Sequence, residues 1–173
     1  MALVRGVASP PPNDLAPADG GAVDDGVSLD TGDVTYSATA LKGRVTGRQL
    51  IHFGRKHMGT PYYLSPPAPC WAYVKEDCSC FSSLVFRHFG KSMPDSPVTQ
   101  FQYGHKVRSR SNLRRGDLVF WKEHGYGNPI THVGMYAGHG YVLHASGYYG
   151  EVVESEMKYI TDYYGARRIR PRL

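Results

Sequence analysis

A cysteine at the first position of an amphipathic helix is the feature that most constrains this chain. Residues 77–90 read Asp-Cys-Ser-Cys-Phe-Ser-Ser-Leu-Val-Phe-Arg-His-Phe-Gly. Residues at helical spacing predict a core-facing stripe, and Gly90 predicts the end of the helix. The stripe consists of Phe81, Leu84, Val85 and His88. The thiol of Cys78 would lie near the positive end of the helix dipole and near backbone N–H groups, which favour the nucleophilic thiolate.

Two histidines lie far downstream, on segments with the character of short strands. Residues 131–136 carry His132 and residues 142–145 carry His144. A cysteine at a helix tip together with histidines on a sheet provides the groups that Cys/His acyl-transfer chemistry needs. The spacing therefore predicts one site built from three distant parts of the chain.

The first 42 residues differ in composition from the rest of the chain. They are rich in Pro, Gly, Ala and Asp, which predicts a flexible or extended segment over 1–42 and a folded domain over 43–173. The segment has a net charge of −4, so the total of +5 leaves +9 on the domain. A basic domain favours an anionic partner such as nucleic acid, acidic lipid or a cell-wall polymer. We expect no nucleic-acid partner, because the basic residues form no motif interleaved with aromatic residues.

The cysteine count and the hydropathy pattern bound the cellular context. No apolar run is long enough for stable membrane insertion, and the N-terminus lacks the apolar stretch of a secretory signal. The three cysteines make no disulfide framework, although Cys70 and Cys80 could pair if the loop between them folds back. An odd count leaves one thiol free in either case.

The remaining pattern predicts an α+β domain. One helix is predicted from Thr46 to Gly59, carrying Leu50, Ile51, Phe53 and Met58 inward, and a short one from Ser96 to Gly104 with Pro97 at its first position. Predicted strands follow at 117–121, 132–137, 141–146, 151–154 and 166–169. Helices first and an antiparallel sheet afterwards indicate the α+β class.

Six short segments, taken in order, resemble the NlpC-type family of bacterial cell-wall cysteine peptidases. They are Gly-Thr-Pro-Tyr at 59–62, Asp-Cys-Ser at 77–79, Gly-Asp-Leu-Val-Phe at 116–120, His-Val-Gly-Met-Tyr at 132–136, His-Ala at 144–145 and Ala-Arg-Arg at 166–168. The resemblance covers about residues 45–170 and implies a papain-like fold, in which helices pack on a small antiparallel sheet. It also implies a cysteine peptidase that acts, outside the cytoplasm, on peptidoglycan stem peptides at the γ-D-glutamyl–diamino acid bond, without a cofactor.

The resemblance also assigns roles to individual residues. Cys78 would be the nucleophile and His132 the base that takes its proton. His144 would orient His132 by a hydrogen bond to its second nitrogen. Tyr62, with the backbone N–H of Cys78, would stabilise the oxyanion. Four further residues would contact substrate, namely Asp77, Ser79, Ser96 and Gln100.

Three departures from the family pattern affect the expected cleft. Cys80 stands where the family usually has glycine, and its side chain is expected to narrow the cleft. Asp95 replaces a common arginine, which reverses a charge beside the expected groove. The segment between Tyr62 and Cys78 contains three prolines and Trp71, and we expect it to wall off one end of the cleft.

Alternative functions compete with the peptidase. Cys78, Cys80, His132 and His144 are acceptable zinc ligands, although a Cys-x-Cys pair at a helix start tends to point its sulfurs apart. The domain could also be a non-catalytic wall-binding module on the same fold, or a Cys/His acyltransferase.

Overall fold

Three α-helices and a six-stranded antiparallel sheet make up the part of the chain that the computed structural model describes, residues 44–66, 70–122 and 129–171. The helices are α1 (Gly47–Gly54), α2 (Cys78–His88) and α3 (Pro97–Gln100). The strands are β1 (His105–Val107), β2 (Leu118–Trp121), β3 (His132–Gly138), β4 (Tyr141–Ser146), β5 (Glu151–Glu156) and β6 (Tyr163–Arg168). Their order in the sheet is β1-β6-β2-β3-β4-β5. The predicted α+β class is confirmed, whereas the predicted segment 1–42 lies outside the described residues.

Helix α1 is shorter than its sequence pattern predicted. Thr46 and Gln49 form a capping box: the Thr46 hydroxyl accepts the Gln49 N–H at 3.2 Å, and the Gln49 carboxamide accepts the Thr46 N–H at 2.8 Å. The α-helix ends at Gly54, and a 3₁₀ turn, Arg55–His57, follows it. The predicted end at Gly59 is therefore wrong, and so is the inward position of Met58, which is 45% exposed.

Helix α2 begins at Cys78, as predicted, because Asp77 caps it. Phe81, Leu84 and Val85 are buried. Gly90 follows the helix with φ +71°, a left-handed conformation that favours glycine and ends the helix. His88 was predicted to face the core but is exposed, and its ring stacks on Phe53 at 3.7 Å between centroids.

The sheet has one face covered by α2 and a second face with its own apolar cluster. The larger cluster joins α2 to alternate residues of the central strands, among them Val133, Met135, Leu143 and Ala145. Trp121 belongs to the cluster on the opposite face. Because side chains alternate along a strand, His132 and His144 lie on the face of Trp121, away from α2. The N-terminus of α2 therefore approaches the histidines at the start of β3, past the end of the strand, rather than across the sheet.

Candidate active site

Cys78 is not part of the disulfide that joins the other two cysteines, and the fold places it beside the first residue of β3. Its side chain is buried, and its sulfur lies 4.0 Å from the carbonyl oxygen of Thr131, the residue directly before His132. The tip of α2 and the start of β3 thus bring the predicted nucleophile and the predicted base into neighbouring positions. The structure brings together two residues that are 54 positions apart in the sequence.

The N-terminus of α2 would stabilise a thiolate at Cys78 less than the sequence suggested. The Asp77 carboxylate accepts the backbone N–H groups of Ser79 at 3.1 Å and of Cys80 at 2.8 Å. These donors are the ones that a helix tip would otherwise present to an anion. The carboxylate also offsets part of the positive dipole at this end. The N–H groups of Ser79 and Cys80 are therefore already bonded and are not available to a thiolate at Cys78.

His132 and His144 form a buried hydrogen-bonded pair. Their side chains are 7% and 3% exposed, and Nε2 of His132 lies 2.7 Å from Nδ1 of His144. The next nitrogen, Nε2 of His144, lies 2.9 Å from the hydroxyl of Ser155 on β5. Gly134 makes room for this pair, since a Cβ there would lie 2.6 Å from the Val142 side chain and 3.0 Å from Cβ of His144. The three polar side chains thus form a chain of hydrogen bonds across three strands.

Burial keeps both histidines neutral at neutral pH. Desolvation, assisted by the nearby His144, lowers the pKa of His132 to about 3, and desolvation lowers the pKa of His144 to about 4. A neutral imidazole has one donor and one acceptor nitrogen, so the tautomers of the two rings are linked, and the hydrogen bonds run either toward Ser155 or away from it. A neutral His132 is in the protonation state that a general base requires.

Tyr62 lies on a segment that runs beside Glu76, the residue that precedes Asp77. It pairs with Glu76 in a parallel bridge, and its N–H donates to the carbonyl of Gly150 at 2.7 Å. Its half-buried ring packs against the cluster that includes Cys78 and approaches Gly147. The predicted oxyanion residue is therefore fixed close to the start of α2, and its role stays a prediction.

Ser79 connects two carboxylates beside Cys78. Its hydroxyl lies 3.1 Å from Oδ1 of Asp77 and 2.7 Å from Oδ1 of Asp95. Desolvation, partly opposed by the Ser79 hydrogen bond and reinforced by the charge of Asp77, raises the pKa of Asp95. Asp95, the acidic residue that replaces the common arginine of the family, is thus in direct contact with Ser79. Substrate contact by Asp77 and Ser79 stays a prediction.

Ser96 and Gln100 are structural in this conformation. Ser96 caps α3 by accepting the Thr99 N–H at 3.4 Å. Gln100 is fully buried, and its carboxamide accepts from Ser82 and donates to the carbonyls of Ser79 and Pro94. In this structure every polar atom of the Gln100 side chain is turned inward and holds the first turns of α2, and substrate contact by Ser96 and Gln100 stays a prediction.

Cys80 does not narrow the cleft. Its side chain is fully buried and forms a disulfide with Cys70, whose Cα lies 5.7 Å away. The bond attaches the segment after Pro69 to the first turn of α2. It also removes the proposed zinc site, because Cys80 cannot ligate a metal with Cys78 while its sulfur is bonded to Cys70. Of the proline-rich segment that was expected to wall off the cleft, residues 67–69 lie outside the described part.

The sequence did not predict the positions of Ser155 or of the pair formed by His57 and Glu76. Ser155 reaches His144 through the register of β4 and β5, in which Val142 faces Ser155 and His144 faces Val153, so no local motif marks it. His57 and Glu76 form a buried pair with Nδ1 and Oε1 2.7 Å apart. Within the described residues, Nε2 of His57 and Oε2 of Glu76 have no hydrogen-bond partner. This pair links the end of the first helical segment to the residue before Asp77.

A cysteine at a helix tip, beside a hydrogen-bonded histidine pair on an antiparallel sheet, defines the papain-like class of α+β domains. The sequence carries the assignment further, since the profile of the NlpC/P60 family matches residues 59–169, well over half of the chain. The chain belongs to the NlpC/P60 family. Its six ordered motifs therefore predicted the family correctly.

Two relatives with curated names are both named as endopeptidases and are longer than the matched region. The chain is 40% identical over 99 residues to murein DD-endopeptidase MepS/murein LD-carboxypeptidase of Escherichia coli K12, which covers 56% of this chain and 50% of that protein. It is 38% identical over 91 residues to probable endopeptidase p60 of Listeria grayi, which covers 53% and 16%. The chain thus spans half or less of the length of these relatives.

Solved structures of the family share the fold. An NlpC/P60 family protein from Bacillus cereus superimposes with a TM-score of 0.64 at 27% identity, over 73% of this chain and 41% of that one. The peptidoglycan hydrolase RipB from Mycobacterium tuberculosis gives a TM-score of 0.58 at 25% identity, over 71% and 64%. Among the described residues of our chain, no helix is long and apolar enough to cross a membrane.

Proposed function

We propose that the domain is a peptidoglycan endopeptidase that acts outside the cytoplasm and cleaves stem-peptide amides through an acyl-enzyme on Cys78. The observation that carries the proposal is the buried 2.7 Å contact between His132 and His144. It lies one residue from the carbonyl that the Cys78 sulfur approaches. The names of the family relatives, which are endopeptidases and peptidoglycan hydrolases, support the substrate class.

The first half-reaction forms a thioester. Nδ1 of His132 takes the proton of the Cys78 thiol, and the sulfur attacks the carbonyl carbon of the stem peptide. This requires His132 to carry its own proton on Nε2, donate it to Nδ1 of His144, and leave His144 to donate from Nε2 to Ser155. The tetrahedral oxyanion is stabilised by the backbone N–H of Cys78 and the hydroxyl of Tyr62. His132 then gives its proton to the leaving amine as the C–N bond breaks.

The second half-reaction returns the free enzyme. Water enters, gives a proton to His132, and attacks the thioester carbonyl. The tetrahedral intermediate collapses with loss of the Cys78 thiolate, which regains the proton from His132. In both halves the imidazolium of His132 is short-lived, because burial makes it costly, and the hydrogen bond that its Nε2–H donates to Nδ1 of His144 offsets part of that cost.

The bond that we propose is the amide between γ-D-glutamate and the diamino acid of the stem. The name of MepS includes both a DD-endopeptidase and an LD-carboxypeptidase activity, so family membership alone allows several bonds. The two carboxylates on Ser79 place negative charge beside the nucleophile, which favours substrates with an amino group on that side.

The decisive experiment is digestion of purified muropeptides followed by mass spectrometry. We expect products that separate the γ-D-glutamyl residue from the diamino acid, with or without a chelator. Cys78→Ala should abolish turnover. His132→Ala should lower the rate by about 10²–10⁴-fold through lost proton transfer alone.

His52→Ala is the matched control for the histidine change, because His52 is exposed on α1 and should leave the rate unchanged. Turnover of any muropeptide by Cys78→Ala at the wild-type rate would refute the mechanism. Wall binding without hydrolysis by the wild-type chain would favour the non-catalytic module, and transfer to an acyl acceptor other than water would favour the acyltransferase.

A further inference from the structure

A basic cavity of about 720 Å³ lies at the β1 edge of the sheet, at the end of β6. This volume is within the ordinary range of ligand-binding pockets. Cations reach it from separate parts of the chain: Arg44 before α1, Lys106 on β1, Arg108 and Arg114 after it, and Arg170 after β6. We refer to these five residues as the cationic cavity set.

Among the described residues, no carboxylate forms an ion pair with this set. The nearby carboxylate of Asp117 is buried and engaged by Arg168, which donates to both of its oxygens at 2.7 Å. Lys106 also stands directly opposite Arg167 in the β1–β6 register, a like-charge pair that costs stability.

Protection of a sheet edge explains only part of this arrangement. A lysine on an edge strand discourages pairing with other chains, and Lys106 on β1 fits that role. It does not account for arginines that converge on one cavity from segments as distant as Arg44 and Arg170. Guanidinium groups that surround a concave surface are suited to phosphate, which they bind through paired hydrogen bonds.

The lining also indicates the kind of anion. Apart from the cations, it consists of His105, Val107, Ser111, Asn112 and Leu113. Single-stranded nucleic acids are held by several aromatic side chains on which successive bases stack, whereas this lining has a single imidazole and no Phe, Tyr or Trp. A ligand with repeated phosphates and no bases fits this surface better.

We propose that this cavity binds a polyol-phosphate polymer of the cell wall through its phosphodiester groups. The cavity is separate from the candidate active site. The β1 edge is three strand spacings, about 14 Å, from β3. Along the strand direction, the cavity lies at the end of β2 opposite to Trp121, about 10 Å away. Such a site would hold the enzyme on the wall while the cleft remains open to stem peptides. Its biological role rests on the proposed function, whereas the binding itself does not.

The test measures binding of the full chain to a defined poly(glycerol phosphate) oligomer over a range of salt concentrations. The full chain is used so that the net charge of −4 on residues 1–42 is present in every measurement. The variant Arg44→Gln/Arg108→Gln/Arg170→Gln removes three cavity cations. The matched control, Lys56→Gln/Arg87→Gln/Lys158→Gln, removes three exposed cations elsewhere.

We expect the cavity variant to bind about tenfold or more weakly, and its slope of log K against log salt to be shallower by about 2, because three phosphate contacts are lost. The control should bind as the wild type does. Equal loss in both variants, or no loss in the cavity variant, would overturn the proposal. So would tighter binding of a single-stranded DNA or a poly-glutamate of equal charge. Hydrolysis of a small soluble muropeptide, measured in parallel, should be the same in all three proteins, and its failure would affect the proposed function alone.

Discussion

Loss of the Cys70–Cys80 disulfide should destabilise the domain by an amount that depends on the length of the loop that the bond closes. The bond closes a sequence separation of 10 residues and joins the loop to the first turn of α2. Loop-closure entropy for this length corresponds to about 2.7 kcal/mol in the free energy of unfolding. For a domain of this size, that is a decrease of about 8–12 °C in Tm.

The assay is thermal and urea unfolding with and without a dithiol reductant, in a Cys78→Ala background that leaves no other thiol. Cys70→Ala is the variant to use, because Cys70 is only half-buried whereas Cys80 is fully buried and its replacement would also disturb packing. The Cys70-containing protein should lose stability on reduction, and the Cys70→Ala protein should be insensitive to reductant. Equal stability of the oxidised and reduced forms would refute the reasoning. A practical consequence is that a reductant added to protect Cys78 also releases the loop beside it.

Three further predictions concern buried polar groups. Since His132 and His144 have pKa values of about 3 and 4 when folded and near 6.5 when unfolded, the unfolded chain binds more protons below pH 6.5. The free energy of unfolding should therefore fall by up to about 1.4 kcal/mol per histidine per pH unit as pH decreases from 6.5 toward 4, and a flat urea-denaturation profile would contradict this. Ser155→Ala should lower kcat about fivefold with little change in KM, because one hydrogen bond that orients His144 is lost, and Ser155→Thr should restore the rate. Glu76→Leu should cost about 3–5 kcal/mol by leaving His57 unpaired, and the double change with His57→Leu should cost less in the same unfolding assay; equal costs would argue against a coupled pair.

Local signals predicted the elements that surround the site. The helix start at Cys78 was predictable because Asp77 is a strong N-cap, and its end because Gly90 adopts a positive φ. The strands with clear apolar character were found, and the order of short motifs predicted the family. Strand β1, His105–Val107, was missed because three residues with only Val107 buried have no readable alternation.

Features that depend on contacts between distant segments were beyond the sequence. The pairing of Cys70 with Cys80 was left open, because it depends on the path of the loop between them. The burial of Gln100 was missed, since a polar residue beside a motif is as compatible with substrate contact as with an internal hydrogen-bond network. The exposure of His88 was missed because periodicity places a residue on a helix face but does not tell how far the neighbouring helix extends over that face.

Strands β3 and β4 approach each other closely at Gly134, so the geometry of the candidate site depends on the absence of a side chain at this position. A methyl group there would push the side chain of Val142 and Cβ of His144 outward, and the hydrogen bond between the two imidazoles tolerates little displacement. In a saturation mutagenesis experiment scored by wall lysis, position 134 should therefore be as intolerant as Cys78, although it has no side chain that could contact substrate. An evolutionary search for new substrates on this scaffold would have to leave this position alone and explore the loops instead.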